Sequence, residues 1–204
     1  MNYRKLGKTG LTVSELGMGG LFVSSFAAAR AEGCRAVRRA LELGINYVDT
    51  AYPYHRENSE RFLGRALQDG YRERVKLATK MPCWKIEKAE DFDVYLNEQL
   101  EKLQTDHVDF YLLHGLNSKR WADMHSLNVL DWAEGAIASG RIGYLGFDWW
   151  QEPTPGSWES VLRAMVCHVQ QDPNDEIGEA VPTSIGETVV GYGIDPIYDV
   201  DMFE

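Results

Sequence analysis

The chain has little cysteine, and what it has is scattered. Cys34, Cys83 and Cys167 are odd in number, far apart and without a CxxC spacing. That excludes a disulfide framework and leaves no zinc or iron–sulfur ligand set, so no metal is expected. Buried thiols are the expected state of such residues. Positive charge is also short: 21 Lys and Arg stand against 31 Asp and Glu, a net charge of -10. Nucleic-acid binders need a concentrated basic surface, so nucleic acid is not an expected partner. A few local cations would still suffice for a phosphorylated cofactor. No run reaches the ~18 apolar residues of a membrane helix. The opening MNYRKLGKTG has charge but no apolar stretch after it, the pattern of a chain without a secretory signal. A cytoplasmic protein with no membrane partner is the expectation. The glycine fingerprint of a Rossmann turn is missing too: Gly17 and Gly19 give G-x-G, but the third position falls on Phe22.

What is present is alternation. Hydrophobic content of 44% and charged content of 25% are those of a globular protein, and 204 residues suit one domain, 1–204. Gly7-Lys8-Thr9-Gly10 between two short β-type runs predicts an opening hairpin. Strands are predicted at 16–20, 46–49, 75–79, 108–113 and 144–147. Helices are predicted between them at about 29–43, 59–67, 91–103 and 129–139. Phe92, Leu96, Leu100 and Leu103 make an i, i+4, i+8, i+11 stripe in the third helix. After residue 147 the pattern loosens: a short helix at 158–165 and strands at 166–170 and 187–192 are the expected remainder. Spacing near 30 residues per repeat is that of βαβ units, which build a parallel sheet covered by helices. Right-handed crossovers then bring all the strand C-termini to one face.

Three different ionisable side chains close successive strands on that face: Asp49, Lys80 and His114. Tyr54 lies in the first loop beyond Asp49. Taken singly, Lys80 reads as a snorkelling lysine, Tyr54 as a packed loop aromatic and His114 as a satisfied core histidine. Their shared topological position makes them a set. The chemistry they suit is proton transfer to a carbonyl oxygen. A phenol, with an ordinary pKa of about 10, becomes a useful acid only if its phenolate is stabilised. Lys80 would stabilise it, Asp49 would hold Lys80, and a neutral His114 would orient the substrate oxygen.

The segments MNYRKLGKTGLTVSELGMGG, GINYVDTAYPYHRENSERFLGRAL, VKLATK, LEKLQTDHVDFYLLH and GRIGYLGF resemble, in order and spacing, the aldo-keto reductase family. The resemblance is strongest over 1–147, with 148–204 divergent. It implies an α/β fold, a (β/α)8 TIM-type barrel with an N-terminal hairpin. About six to seven strands are legible against the eight and about 250 residues of a full barrel, so an incomplete barrel is expected. It also implies NADP(H)-dependent reduction of an aldehyde or ketone, a small-molecule carbonyl substrate, and catalytic roles for Asp49, Tyr54, Lys80 and His114. Asp49, Asp148 and Gln170 fall on cofactor-binding positions, Asp148 where the family usually has Ser or Asn. Trp84 and His114 fall on substrate-binding ones, and Trp149 and Trp150 are further wall candidates. YRERVKLATKMPCW resembles a branch that often carries a ferredoxin-like module, for which this chain has no cysteine cluster. The alternative expectations are a non-catalytic cofactor-binding subunit and a truncated barrel that folds by homodimerising across its open edge.

Overall fold

Two short strands, β1 (Tyr3–Lys5) and β2 (Thr12–Ser14), pair antiparallel as the predicted hairpin. A second, wholly parallel sheet follows: β3 (Met18–Gly19), β4 (Tyr47–Asp49), β5 (Lys76–Met81), β6 (Val108–Leu116) and β7 (Ile142–Trp149). The computed structural model describes residues 1–7, 9–20 and 30–149. Within them the five strands pair in the order in which they occur along the chain. An order that never reverses is that of a barrel wall. A doubly wound sheet would turn back at a switch point.

Alternation along β5 sorts the two faces. Leu77, Thr79 and Met81 point to the helices: Leu77 and Met81 sit in the main apolar cluster, and Thr79 hydrogen-bonds to Glu60. The opposite face carries Ala78 and Lys80. On that inner face Tyr47, Phe110 and Tyr144 form an aromatic layer, with ring centroids 5.9 and 5.3 Å apart. The hairpin is fastened beneath it. Tyr144 donates to the Thr9 carbonyl at 3.0 Å, the Ser14 amide donates to Asn46 at 2.7 Å, and Tyr3 donates to the Gly44 carbonyl at 2.9 Å. One end of the wall is thereby covered, and the chemistry is left to the other.

The helices are α1 (Arg30–Glu42), α2 (Ser59–Ala66), α3 (Glu90–Leu103), α4 (Ser118–Ser126) and α5 (Val129–Ala138). The predicted stripe of α3 is buried along its length, each of Phe92, Leu96 and Leu103 contributing about 1.5–3 kcal/mol. α2 and α3 meet at Gly64, where an added Cβ would lie 2.4 Å from the Lys102 carbonyl oxygen and 2.8 Å from the Leu103 carbonyl carbon. Backbone cannot yield there as a side chain would. Gly64→Ala is therefore expected to destabilise the fold by about 3 kcal/mol, read as a lowered midpoint in urea.

Two differences from the sequence expectation stand out. β5 runs through Lys80 to Met81, β6 through His114 to Leu116, and β7 through Asp148 to Trp149, so the ionisable residues lie inside strand ends and do not terminate them. Polarity at those positions belongs to the inner face, and the ladder continues past it. Helix α4 was not foreseen, because only Trp121 and Met124 of SKRWADMHS turn inward. Its start is set by Asn117, whose side chain accepts from the Arg120 amide at 2.9 Å. The elements expected at 158–165, 166–170 and 187–192 lie outside the described residues.

Candidate active site

Lys80 is the centre of the inner face at the strand C-termini. Its ammonium donates to Asp49 Oδ1 at 2.6 Å, to the Thr50 carbonyl at 3.1 Å and to the Tyr54 hydroxyl at 3.5 Å. Those three bonds use all of its donors. The side chain is only 9% exposed. Burial alone would lower its pKa, but the Asp49 carboxylate, Tyr54 and the hydrogen bond to Asp49 outweigh it and hold it above the ordinary lysine value. Lys80 is thus a fixed cation facing a phenol.

Tyr54 reaches this point from the loop between β4 and α2. The loop turns back through His55, Arg56 and Glu57, whose φ values of 53, 54 and 66° are all left-handed. For non-glycine residues that conformation costs about 1–2 kcal/mol each. Asn58 offsets part of it, its side-chain amide donating to the His55 and Arg56 carbonyls at 3.2 and 3.0 Å. Lys85 pairs with Glu57 at 3.3 Å from the far side.

His114 closes the group. Its ring centroid is 6.2 Å from that of Tyr54 and 5.2 Å from that of Trp84, both edge-on. Burial, then the charges of Lys80 and Arg120, push its pKa down to about 3, so it is a neutral imidazole. Trp84 is 42% exposed and forms an apolar wall beside it. Asp148, from β7, lies with its Oδ2 3.6 Å from His114 Nε2 and accepts a hydrogen bond from the Gly115 amide. Burial raises its pKa to about 6, against the pull of the Gly115 amide and Lys80.

Asp148 and His114 bend the pH–stability curve in opposite senses. A carboxyl with a raised folded pKa contributes stability that is complete below its unfolded value and is lost as pH rises through about 6. A depressed histidine contributes stability that is complete above about 6.5 and is lost as pH falls toward about 3. Between pH about 4 and 6 the two slopes oppose each other. Asp148→Asn is therefore expected to be more stable at neutral pH, by about 3 kcal/mol at most, and to lose stability more steeply on acidification. Urea titrations at several pH values check both.

The structure thus brings together five predicted residues, Asp49, Tyr54, Lys80, His114 and Trp84, with Asp148 beside them. Trp149, expected as a further wall residue, instead ends β7 on the helix side of the sheet, packed against the main apolar cluster, and its buried indole Nε1–H has no acceptor among the described residues. Gln170 and Trp150 lie outside the described residues. Two groups were missed from the sequence. Arg120 reaches back from α4 to donate to the Gly115 carbonyl at 2.5 Å and lends its charge to the His114 environment. Behind the site lies a buried polar network. Glu60 accepts from Thr79 and Gln99, both at 2.6 Å, and Gln99 also donates to the Lys80 carbonyl at 3.0 Å and accepts from Tyr111 at 2.6 Å. In the sequence, Asn58-Ser59-Glu60 reads only as a polar helix start. The spacing of Glu60 with Leu63, Gly64 and Leu67 was the signal that it faces inward. Among the described residues no cluster of His, Cys, Asp and Glu has metal-site geometry, and no helix is long and apolar enough to cross a membrane.

A loop phenol, a buried ammonium–carboxylate pair and a neutral histidine share one face of the sheet, and the Aldo/keto reductase family model matches residues 15–156, most of the chain. This chain is an aldo-keto reductase family member. Its relatives agree. The uncharacterized oxidoreductase YqkF of Bacillus subtilis (strain 168) is 36% identical over 129 residues, 56% of this chain and 39% of that protein. The methylglyoxal reductase YeaE of Escherichia coli (strain K12) is 28% identical over 161 residues, 78% of this chain and 56% of that protein. Among solved structures, an aldo-keto reductase of Bacillus halodurans in its holo form superposes with a TM-score of 0.62 at 31% identity, covering 73% of this chain and 50% of that one. An aldo-keto reductase from Klebsiella pneumoniae in complex with NADPH gives 0.62 at 26%, covering 80% and 54%. The aldo-keto reductase chain described here therefore spans about half the length of the relatives it matches.

Proposed function

We propose that the chain reduces an aldehyde or ketone to the alcohol, with NADPH as the reductant and Tyr54 as the proton donor. The observation that carries this reading is the chain of contacts from Asp49 through Lys80 Nζ to the Tyr54 hydroxyl, at 2.6 and 3.5 Å. Lys80 stays charged across the working pH range and lowers the cost of leaving a phenolate on Tyr54. Asp49 fixes Lys80 in place. His114, neutral and buried, offers a nitrogen to the carbonyl oxygen without competing for the proton. Trp84 lines the apolar side of the pocket and excludes water from one flank.

A nicotinamide cofactor fits the groups present. Asp49, tied to Lys80, and Asp148, beside His114, place carboxylate acceptors at the inner-face strand ends, where the amide hydrogens of a carboxamide would be received. NADPH, when bound, supplies the hydride. Asp49 and Asp148 are proposed to line its reacting end, together with Gln170 from beyond the described residues. Tyr54 then delivers its proton to the oxygen as negative charge develops there, and Lys80 holds the phenolate until solvent restores it.

Measuring NADPH oxidation with a panel of aldehydes and quinones tests the proposal. Carbonyl-dependent consumption is expected. Binding of NADPH with no consumption across the panel would replace this reading with that of a cofactor-binding subunit.

A further inference from the structure

We infer that Asp148 is a positioning residue for His114: its carboxylate, 3.6 Å from Nε2 and so beyond hydrogen-bond length, favours by its charge the neutral tautomer with hydrogen on Nε2, and that hydrogen stays available for donation into the site. The inference rests on the reductase reading for its catalytic consequence, but its geometry stands apart from it. Asp148 is anchored by the Gly115 amide, which donates to Oδ1. That amide points at β7 because β6 breaks register with it between Leu113 and Leu116, and because Gly115 takes a φ of 65°. Arg120 fixes the other end of the turn by donating to the Gly115 carbonyl at 2.5 Å. The second carboxylate oxygen, Oδ2, is then held 3.6 Å from His114 Nε2. On the far side of the ring, Nδ1 is buried without a hydrogen-bond partner among the described residues. A hydrogen there would be a buried donor with no acceptor, whereas a hydrogen on Nε2 faces a carboxylate. Both ends of the ring favour the same tautomer.

The groups facing this pair are Asp49 from β4, Lys80 from β5, Arg120 from α4, the Tyr54 phenol and the Cys83 thiol. Lys80 and Arg120, with burial, keep His114 neutral, so its tautomer is what remains to be set. Burial pushes the Cys83 thiol up to about 12, which leaves it uncharged. When Asp148 takes up a proton, the charge that favours hydrogen on Nε2 is lost, and the imidazole hydrogen moves to Nδ1. The His114 donor is then lost from the site, as pH falls through about 6. Asp148→Asn imitates that acid form at every pH: the Gly115 amide claims the side-chain oxygen, and the NH2 points at Nε2.

The test is long-range proton–nitrogen correlation NMR of the full chain labelled with 15N-histidine, with the His114 signals assigned by His114→Gln. Wild type is expected to show the Nε2–H pattern at neutral pH and to cross to Nδ1–H through about pH 6. Asp148→Asn is expected to show Nδ1–H throughout. Asp148→Ser, which lacks the carboxylate, is expected to show no crossing. In turnover, Asp148→Asn should lower kcat/KM about 10–100-fold and abolish the acidic limb of the pH profile. The same His114 tautomer in wild type and Asp148→Asn at all pH values would overturn the inference. A tautomer switch in a protein without turnover would leave the inference standing and remove the reductase reading. Tyr54-dependent turnover without the switch would do the reverse.

Discussion

Tyr54→Phe is expected to lower kcat/KM for carbonyl reduction by about 10³-fold while leaving thermal stability almost unchanged. The substitution removes one oxygen and nothing else. The ring keeps its edge contact with His114, and the Lys80 ammonium stays 5.1 Å from the ring centroid. Lys80 gives up only its longest hydrogen bond, the one of 3.5 Å, and retains those to Asp49 and the Thr50 carbonyl. The loop that carries position 54 is shaped by Asn58 and by the Glu57–Lys85 pair, which the substitution leaves in place. Cofactor affinity should therefore be preserved, and the loss should fall on kcat. A variant within about tenfold of wild type would take the proton-donor role away from Tyr54.

Lys80→Met is expected to cost both stability and rate. Methionine fills nearly the same volume, so the loss is of charge. It leaves the Asp49 carboxylate, whose side chain is 21% exposed, without its cation. Breaking a buried pair by removing one partner costs about 3–5 kcal/mol. The rate should fall by about 10²-fold or more, because the Tyr54 phenolate no longer has a positive neighbour. The two effects separate in the double variant. Asp49→Asn with Lys80→Met no longer buries a lone carboxylate and should regain most of the lost stability, yet recover none of the activity. If the double variant regained activity with stability, the pair would be a structural element and no part of the proton path. Urea midpoints and kcat/KM on wild type and the two variants decide the matter.

The parts of the site that were legible in the sequence share a physical cause. Asp49, Lys80 and His114 each interrupt an apolar run of β-type residues, and parallel topology makes such interruptions coincide in space. The helical stripe of Phe92, Leu96, Leu100 and Leu103 was equally plain, since burial of one face imposes its own period. What escaped reading depends on contacts between elements. Glu60 is completely buried, yet only the meeting of α2, α3 and β5 shows that Thr79 and Gln99 donate to its Oε1 while the Lys102 ammonium stands 3.9 Å from Oε2. Burial raises the pKa of its carboxyl in spite of those bonds. Arg120 was invisible because its role runs through the Gly115 carbonyl, and Gly115 matters only for a left-handed turn inside a strand. Asp148 lay between these cases. Its position was marked by the family resemblance, while its approach to His114 needed the register break in β6.

Isotope transfer from the reductant puts the central claim to its most direct test. The chain would be incubated with an aldehyde and NADPH doubly deuterated at C4 of the nicotinamide, and the alcohol analysed by mass spectrometry. The site described here predicts one deuterium on the carbinol carbon with wild type, and at most about a thousandth of that rate with Tyr54→Phe. Absence of alcohol, or alcohol formed without deuterium at that carbon, would contradict it.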